Sequence, residues 1–592
     1  MKMSKLLLVS LTTAGVMALA GQASAFAPVW PTDGDAADGA DPVGSVVLWH
    51  AGASASTASV QTAVVSAYCD AAQAVDILED ARTVGKPAFW TVACIGKSTL
   101  PATLAGKKIL WNKRDEGGSG VGVGPLALST PIGFMKPSTG AGNNCPAVSS
   151  TRLITGTTIT ANIWNCTNFT YSLTPPVAAS YGLNDADPAA DAVARVPDIG
   201  TSDIEPDKFT STFSFNVPKA DFNLDGVINA ADTLATYDAT GLTKDSLAAL
   251  TFGIPVNILM YQDLQREQFP TGHPLFSDCN PAGATYGTIA SSASNANAEK
   301  CMPSLTGNEI RSVYMKGGAI RSSTDLQYET PFGSAAFTTL AATLNGATDN
   351  TIQICRRVNG SGTQAQFNAI MLGYPCDATF DGAIDSLQPE AAGPLATFVT
   401  ENEGSGDVEK CLNDFNNGTN TTGQNSALRK RWAVGIQSME KNAPSGAGAY
   451  TNAYRFIKVD GFAPTLANVH AGDYYDVAAQ SLQYKTGAPA VTVDAYSSLK
   501  PEFQNPLNLP DLNKLQAFGT AGWMALPSAT NTPDAVLNLA RPVSWYRRVS
   551  FSGAGNTCAL PSMFKKTGGS AATVGPQNWS SNGGADSNCY TP

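Results

Sequence analysis

The stretch whose residue types and spacing best suit chemistry is Arg356-Arg357-Val358-Asn359-Gly360-Ser361-Gly362-Thr363. Before it, Asn350 to Cys355 carries β-branched residues bounded by turn formers and predicts a short strand. After it, Gln364 to Leu372 is rich in Ala, Gln, Met and Leu and predicts a helix. A strand, a Gly-Ser-Gly-Thr turn and a helix start together make a holder for an oxyanion. Unpaired backbone N–H groups point outward there, and the helix dipole favours negative charge. Ser361 and Thr363 can add hydroxyl donors, and Arg357 a planar fork that matches phosphate. Read locally, the same residues also form a serine N-cap beside a surface arginine.

Other chemistries find less support. The three histidines, His50, His273 and His470, sit in no motif with a nucleophile; no Gly-x-Ser-x-Gly elbow occurs, and no dimetal ligand set is visible. His50 lies beside a tight turn, where a core or hydrogen-bonded histidine is the plainer reading. The glycine-rich run Gly117 to Gly124 lacks the Lys-Ser/Thr of a P-loop and the GxGxxG spacing, which argues against a nucleotide. Absence of Cys-x-x-Cys or of a Cys/His cluster argues against zinc and thiol-redox chemistry. A metal pattern does occur between Asp221 and Asp232. Asp221, Asn223, Asp225, Asn229 and Asp232 fall at positions 1, 3, 5, 9 and 12 of a calcium loop, with Gly226 at position 6 and an apolar residue at 8. The loop resembles a single dockerin repeat. It predicts a structural calcium site, with an empty acidic turn as the alternative. Asp377 to Asp385 starts similarly but places Gln388 at position 12 and is degenerate.

The elements that must position these residues belong to an exported chain. Residues 1–25 read as a signal peptide: Lys2 and Lys5, an apolar run from Leu6 to Leu19, then Ala23-Ser24-Ala25 as cleavage site. No cysteine sits just after the apolar run, which argues against a lipid anchor, and no later stretch approaches the ~20 apolar residues of a spanning helix. The expected location is the periplasm or outside the cell. Cleavage removes two of 37 basic residues and leaves 35 against 48 acidic ones, a net charge of −13. That field argues against nucleic acid or anionic lipid as partner, so any bound anion is caught by local donors.

In an exported chain the 11 cysteines read as disulfides. Sequence neighbours suggest Cys69–Cys94, Cys145–Cys166, Cys279–Cys301 and Cys558–Cys589, then Cys376–Cys411, leaving Cys355 as a buried thiol. Residues 26–44 read as a flexible leader. Ser45 to Trp49 and Lys108 to Trp111 predict strands, Ser56 to Ala71 a helix, and Phe252 to Leu259 a buried strand. Residues 126–195 read as a disulfide-pinned insertion. Short strands alternating with helices indicate an α/β class with mainly parallel sheets.

Several of these stretches, in order, resemble one family: the phosphate-binding protein of the bacterial ABC phosphate-uptake system. Ala51-Gly52-Ala53-Ser54 resembles its first anion turn, Gly118-Ser119-Gly120 its second, and Gly200-Thr201-Ser202-Asp203 its Gly-x-Ser-Asp turn. Arg357 to Thr363 resembles its Arg-x-x-Gly-Ser-Gly-Thr loop, the most specific match. Leu305 to Ile310, Ala433 to Ile436 and Lys458 to Tyr474 extend the likeness, collinear from Trp49 to Gln483 over roughly half the chain. Ser54-Ala55 replaces the family's Thr-Phe, and Asn359 stands where Asp is usual.

The resemblance implies an α/β, two-lobed periplasmic-binding-protein-like fold with a two-stranded hinge. Lobe 1 would be residues 45–257, with insertions near 126–195 and 206–250, plus 437–545; lobe 2 would be 258–436, with 546–592 a C-terminal extension. Ser54, Ser119 and Asp203 would line one wall, and Arg357, Ser361, Gly362 and Thr363 the other. Asp203, acceptor-only when ionised, would face an anion that still carries a proton, as phosphate does and sulfate does not; alternatively it caps the next helix. The expected role is capture of inorganic phosphate without catalysis or cofactor, with an ABC transporter permease as partner. The alternatives are a structural or adhesive surface protein and a phosphate-ester hydrolase.

Overall fold

The computed structural model describes residues 44–53, 57–80, 88–137, 139, 145–154, 156–166, 192–210, 217–218, 220–222, 230–314, 352–372, 399–471, 473–504 and 513–524. Residues 1–43, which hold the expected signal peptide and nearly all of the expected leader, as well as residues 546–592, Ser54, Cys376 and most of the Asp221–Asp232 loop, fall outside them. Strand formers give β1 (Ser45–Ala51), β2 (Val75–Asp80), β3 (Phe89–Ile95), β4 (Lys108–Arg114), β5 (Ile132–Met135), β6 (Val148–Leu153), β7 (Thr160–Cys166), β8 (Ala192–Arg195) and β9 (Ile199–Ser202). In the larger sheet β1 lies between β4 and β9, parallel to both, while β3 runs antiparallel between β2 and β4. β6 and β7 extend that sheet at its far end, so the segment near 126–195 adds strands to the main sheet; Cys145–Cys166 pins them. The helix Thr57–Tyr68 covers one face: Val60, Val64 and Tyr68 share a buried cluster with Ile77, Trp111 and the helix residues Ala495, Tyr496 and Leu499.

β10 (Leu242–Gly253) runs almost directly into β11 (Pro255–Asn257), and there the expected strand Phe252–Leu259 ends early. Asn257 is the reason. Its side-chain oxygen accepts the Met260 N–H and caps the helix Ile258–Gln268. The chain next gives β12 (Ser304–Leu305), which belongs to a separate two-stranded ladder, and then β13 (Ile352–Arg357), β14 (Val399–Asn402) and β15 (Trp432–Gly435), which join β11 in the second sheet. β13 lies between β14 and β15 and runs parallel to both. β16 (Gln437–Ser438) returns to β10; β17 (Tyr454–Phe456) pairs with β11, and β18 (Lys458–Val459) with β12. β19 (Val477–Lys485) rejoins the larger sheet between β10 and β9.

The class is therefore α/β with mixed sheets. Parallel strands form the middle of each sheet, but antiparallel ladders outnumber them in the larger one, because β10 and β19 run back along its edge after crossing. Three segments meet at the junction of the sheets, at Gly253–Pro255, Gly435–Gln437 and Asp476–Val477. There Phe252 pairs with Ser438 and donates its N–H to the Asp476 carbonyl at 2.8 Å.

Cys69–Cys94, Cys145–Cys166 and Cys279–Cys301 are bonded as the spacing suggested. Cys411 is not joined to Cys376. It bonds Cys355, which is no free thiol. β13 carries Cys355 against the helix Ser405–Asn417, which carries Cys411, so a sheet-to-helix contact wins over nearness in sequence. Cys558–Cys589 lies outside the described residues. Among the described residues no helix is long and apolar enough to cross a membrane.

Candidate functional site

Three strand ends of the larger sheet converge on one wall. β1 runs on into Gly52 and Ala53, both with positive φ, 101° and 46°. After β4 comes a tight 3-10 turn, Ser119–Gly122, and after β9 comes Asp203. These loops touch so closely that a Cβ on Gly200 would lie 1.9 Å from the Gly122 carbonyl oxygen, which only glycine allows.

The opposing wall follows β13. Gly360 turns at φ 89°, and Ser361 caps the helix Gly362–Ile370 by accepting the Gln364 N–H at 3.4 Å. The local reading of Ser361 as an N-cap therefore holds, and the Gly362 and Thr363 N–H groups of the helix start lie beside it. Thr363 is buried, and its Oγ1 has no hydrogen-bond partner among the described residues. A buried hydroxyl so placed has donor and acceptor capacity left for a ligand or a water. Arg357 is no surface arginine. Its Nε donates to the carbonyls of Asn402 (3.2 Å) and Glu403 (3.0 Å), Nη2 to Glu403 again, and Nη1 to Ser405 Oγ at 3.2 Å. The fork thus clamps the start of helix Ser405–Asn417, which the Cys355–Cys411 bridge ties to β13. Two of its five N–H donors remain without a partner among the described residues.

The walls meet. Gly120 donates its N–H to the Gly360 carbonyl at 2.8 Å, and Gly117 donates to Glu403 Oε1 at 3.3 Å. Between them sits Asp203. Its N–H donates to Ser119 Oγ at 3.0 Å, while its carboxylate accepts from Ser119 Oγ (3.3 Å) and Gln480 Nε2 (3.5 Å). The next 3-10 turn, Pro206–Phe209, is preceded by Glu205, so Asp203 does not cap it. Burial pushes the Asp203 carboxyl up to about 6, against the pull of Arg357, the Ser119 hydroxyl and Lys113; Glu440 adds to the rise. Glu403 is raised to about 7, chiefly by burial and then by Glu116.

Ser119, Asp203, Arg357, Ser361, Gly362 and Thr363 are thus gathered at one seam between the sheets, and Ser54 lies outside the described residues. His50 lies on β1, in the first wall. It is buried, held well below its usual range by desolvation and by Lys113, and joined to Thr201 and Trp111. Sequence reading missed Lys113, Asp115, Gln480 and Glu403. A Lys-Arg-Asp run at a strand end before a glycine turn was the available signal for the first two.

No protein-family model and no curated protein matches the chain. Among solved structures it is similar to an ABC-type phosphate transport receptor from Vibrio cholerae, at 11% identity over 52% of this chain and 74% of that one, TM-score 0.23. It is also similar to a putative phosphate ABC transporter substrate-binding protein with bound phosphate from Clostridium perfringens, at 15% identity over 46% and 69%, TM-score 0.23. A possible phosphate binding protein from Planctomyces limnophilus gives 11% identity over 52% and 68%, TM-score 0.21. Similarity at this level is a partial overlap of chain trace and says nothing of a ligand.

Proposed function

We propose that this is an exported solute-binding protein that captures phosphate, or a similar protonated tetrahedral oxyanion, between its two sheets without turning it over. One observation carries the reading. A buried acceptor, Asp203, faces the donor-rich start of helix Gly362–Ile370, where the buried Thr363 hydroxyl has no partner among the described residues. Helix N–H groups favour an anion. A carboxylate set against them tolerates that anion only if it still has a proton to give. The collinear motifs that resemble the phosphate-binding family support the same ligand. Entry requires the Gly120–Gly360 and Gly117–Glu403 contacts to part, which the junction at Gly253, Gly435 and Asp476 can accommodate as a hinge. An ABC transporter permease is the proposed partner.

Those direct contacts between the walls favour one second reading, a surface protein that keeps the fold closed and empty. Calorimetric titration of the mature protein with phosphate, arsenate and sulfate separates the two. Heat from phosphate and arsenate but not sulfate supports capture, and no heat from any of them leaves the structural role.

A further inference from the structure

We propose that Gln480 is a specificity-determining residue of this cleft: its amide holds one oxygen of the Asp203 carboxylate and so presents the other to the helix start at Gly362 as the acceptor for a ligand proton. This role rests on the oxyanion reading of the site and deepens it by naming a positioning residue. Strand register brings the two side chains together. β19 runs antiparallel to β9 with Leu482 opposite Thr201 and Ser481 opposite Ser202, so one step further sets Gln480 opposite Asp203. Opposed residues of an antiparallel pair share a face, with Cβ atoms about 5 Å apart. Gln480 is fully buried, and its Nε2 donates to Asp203 Oδ1 at 3.5 Å. On its other side β19 pairs with β10, and the ladder is irregular at this very residue. Ser481 pairs with Ser246 and Ala479 with Ala249, so Leu247 and Ala248 stand against Gln480 alone. Two residues against one make a β-bulge, which bends the ladder and re-aims side chains, often beside functional sites.

The two oxygens of Asp203 have different surroundings. Oδ1 meets the Gln480 amide. Oδ2 accepts from Ser119 Oγ at 3.3 Å and lies 3.0 Å from where a β-carbon on Gly362 would stand, at the helix start of the opposite wall. The Gln480 amide can meet a carboxylate only through its NH₂ side, because a carbonyl and a carboxylate are both acceptors. Its Oε1 then has no hydrogen-bond partner among the described residues. A buried carbonyl without a donor is costly, so the glutamine is kept there for its N–H side. The charged groups around Asp203 come from three elements: Arg357 at the end of β13, Glu440 after β16 and Lys113 on β4. Gln480 and Ser119 are neutral groups bonded to it. A hydrogen bond is directional, so these two also fix which oxygen faces the helix start.

The test is Gln480→Met, which keeps the length of the side chain without its donor, beside Gln480→Glu, which sets a second carboxyl against Asp203. Phosphate and sulfate affinities are measured by calorimetry from about pH 5 to pH 8, across the range of a raised carboxyl, with thermal melting as the check of folding. Wild type prefers phosphate at neutral pH and loses that preference as pH falls through about 6, where Asp203 takes up a proton and can donate it to sulfate. A hydrogen bond to the charged form favours that form, so in Gln480→Met the loss sets in at higher pH. Its preference at neutral pH falls at least ~10-fold, while its melting temperature holds, since an unpartnered oxygen has gone. In Gln480→Glu two buried carboxyls do not both ionise. The pair keeps a proton to give at neutral pH, and sulfate rejection weakens again; this variant carries the test if Gln480→Met does not fold. Profiles that superimpose on wild type, or a loss shared equally by both anions, overturn the role of Gln480 and leave the site intact. A wild type that binds neither anion at any pH overturns the oxyanion reading itself and this role with it.

Discussion

A β-carbon placed on Gly362 would lie 2.2 Å from the Ser119 hydroxyl oxygen and 3.0 Å from Asp203 Oδ2. The first residue of the second-wall helix and the two polar residues of the first wall thus converge on one point. Gly362 has no positive φ and sits at a helix start. Alanine there is favourable for the helix by up to ~1 kcal/mol, so the cost of Gly362→Ala falls on closure. The expected outcome is at least a ~10-fold loss of phosphate affinity with a melting temperature near that of wild type. Titration and melting curves check it, and unchanged affinity would show that the walls do not close on the ligand.

Arg357 is expected to matter twice, through its remaining donors toward the ligand and through its clamp on Glu403 and Ser405. Arg357→Ala should cost ~2–5 kcal/mol of anion affinity and also lower the melting temperature. Arg357→Lys should restore neither, because an ammonium lacks the planar fork. Full recovery by lysine would reduce the role to simple charge.

Stability should fall as pH rises toward neutral. Asp476, at the junction of the sheets, is buried, accepts from Gln366 Nε2 at 3.3 Å and is pushed by burial up to about 7. Unfolded, the same carboxyl titrates near ~4. Between those values the folded state holds the extra proton, so unfolding becomes easier with each step up in pH and levels off above about 7. Asp476→Asn keeps a neutral group and should flatten that slope. Urea unfolding near pH 5 and pH 8 reads it, and identical slopes in both proteins would contradict it.

The calcium proposal rests on spacing, since most of the Asp221–Asp232 loop lies outside the described residues. Its closing residue is seen: Asp232 Oδ1 accepts the Phe222 N–H at 2.8 Å, and the Asp221 and Phe222 carbonyls receive Arg114. A chelator should lower the melting temperature by mass action without changing phosphate affinity, and superimposable melts mark an empty turn.

Much of the second wall was legible in the sequence because it is local. The strand, the glycine turn, Ser361 as cap and the helix follow within about one supersecondary unit, where turn and cap chemistry act directly. The first wall was legible only by resemblance, since Gly52, Ser119 and Asp203 come from three strands that only the sheet order brings together. The Cys355–Cys411 bridge was misassigned for the same reason: β13 packs on a helix 56 residues away, and nothing local announces it. Lys113 and Asp115 escaped the sequence reading, because burial of an ion pair depends on what the neighbouring loops cover.

The most direct test of the account is a side-by-side titration of wild type and Asp203→Asn with phosphate and sulfate at neutral pH. Wild type should prefer phosphate by at least ~10³, about 4 kcal/mol, the scale of facing an unprotonated oxyanion with a buried acceptor. In Asp203→Asn, phosphate binding should change little while sulfate rejection weakens, because the amide can donate as well as accept. Equal binding of both anions by wild type, or of neither, would contradict the claim that Asp203 reads a ligand proton.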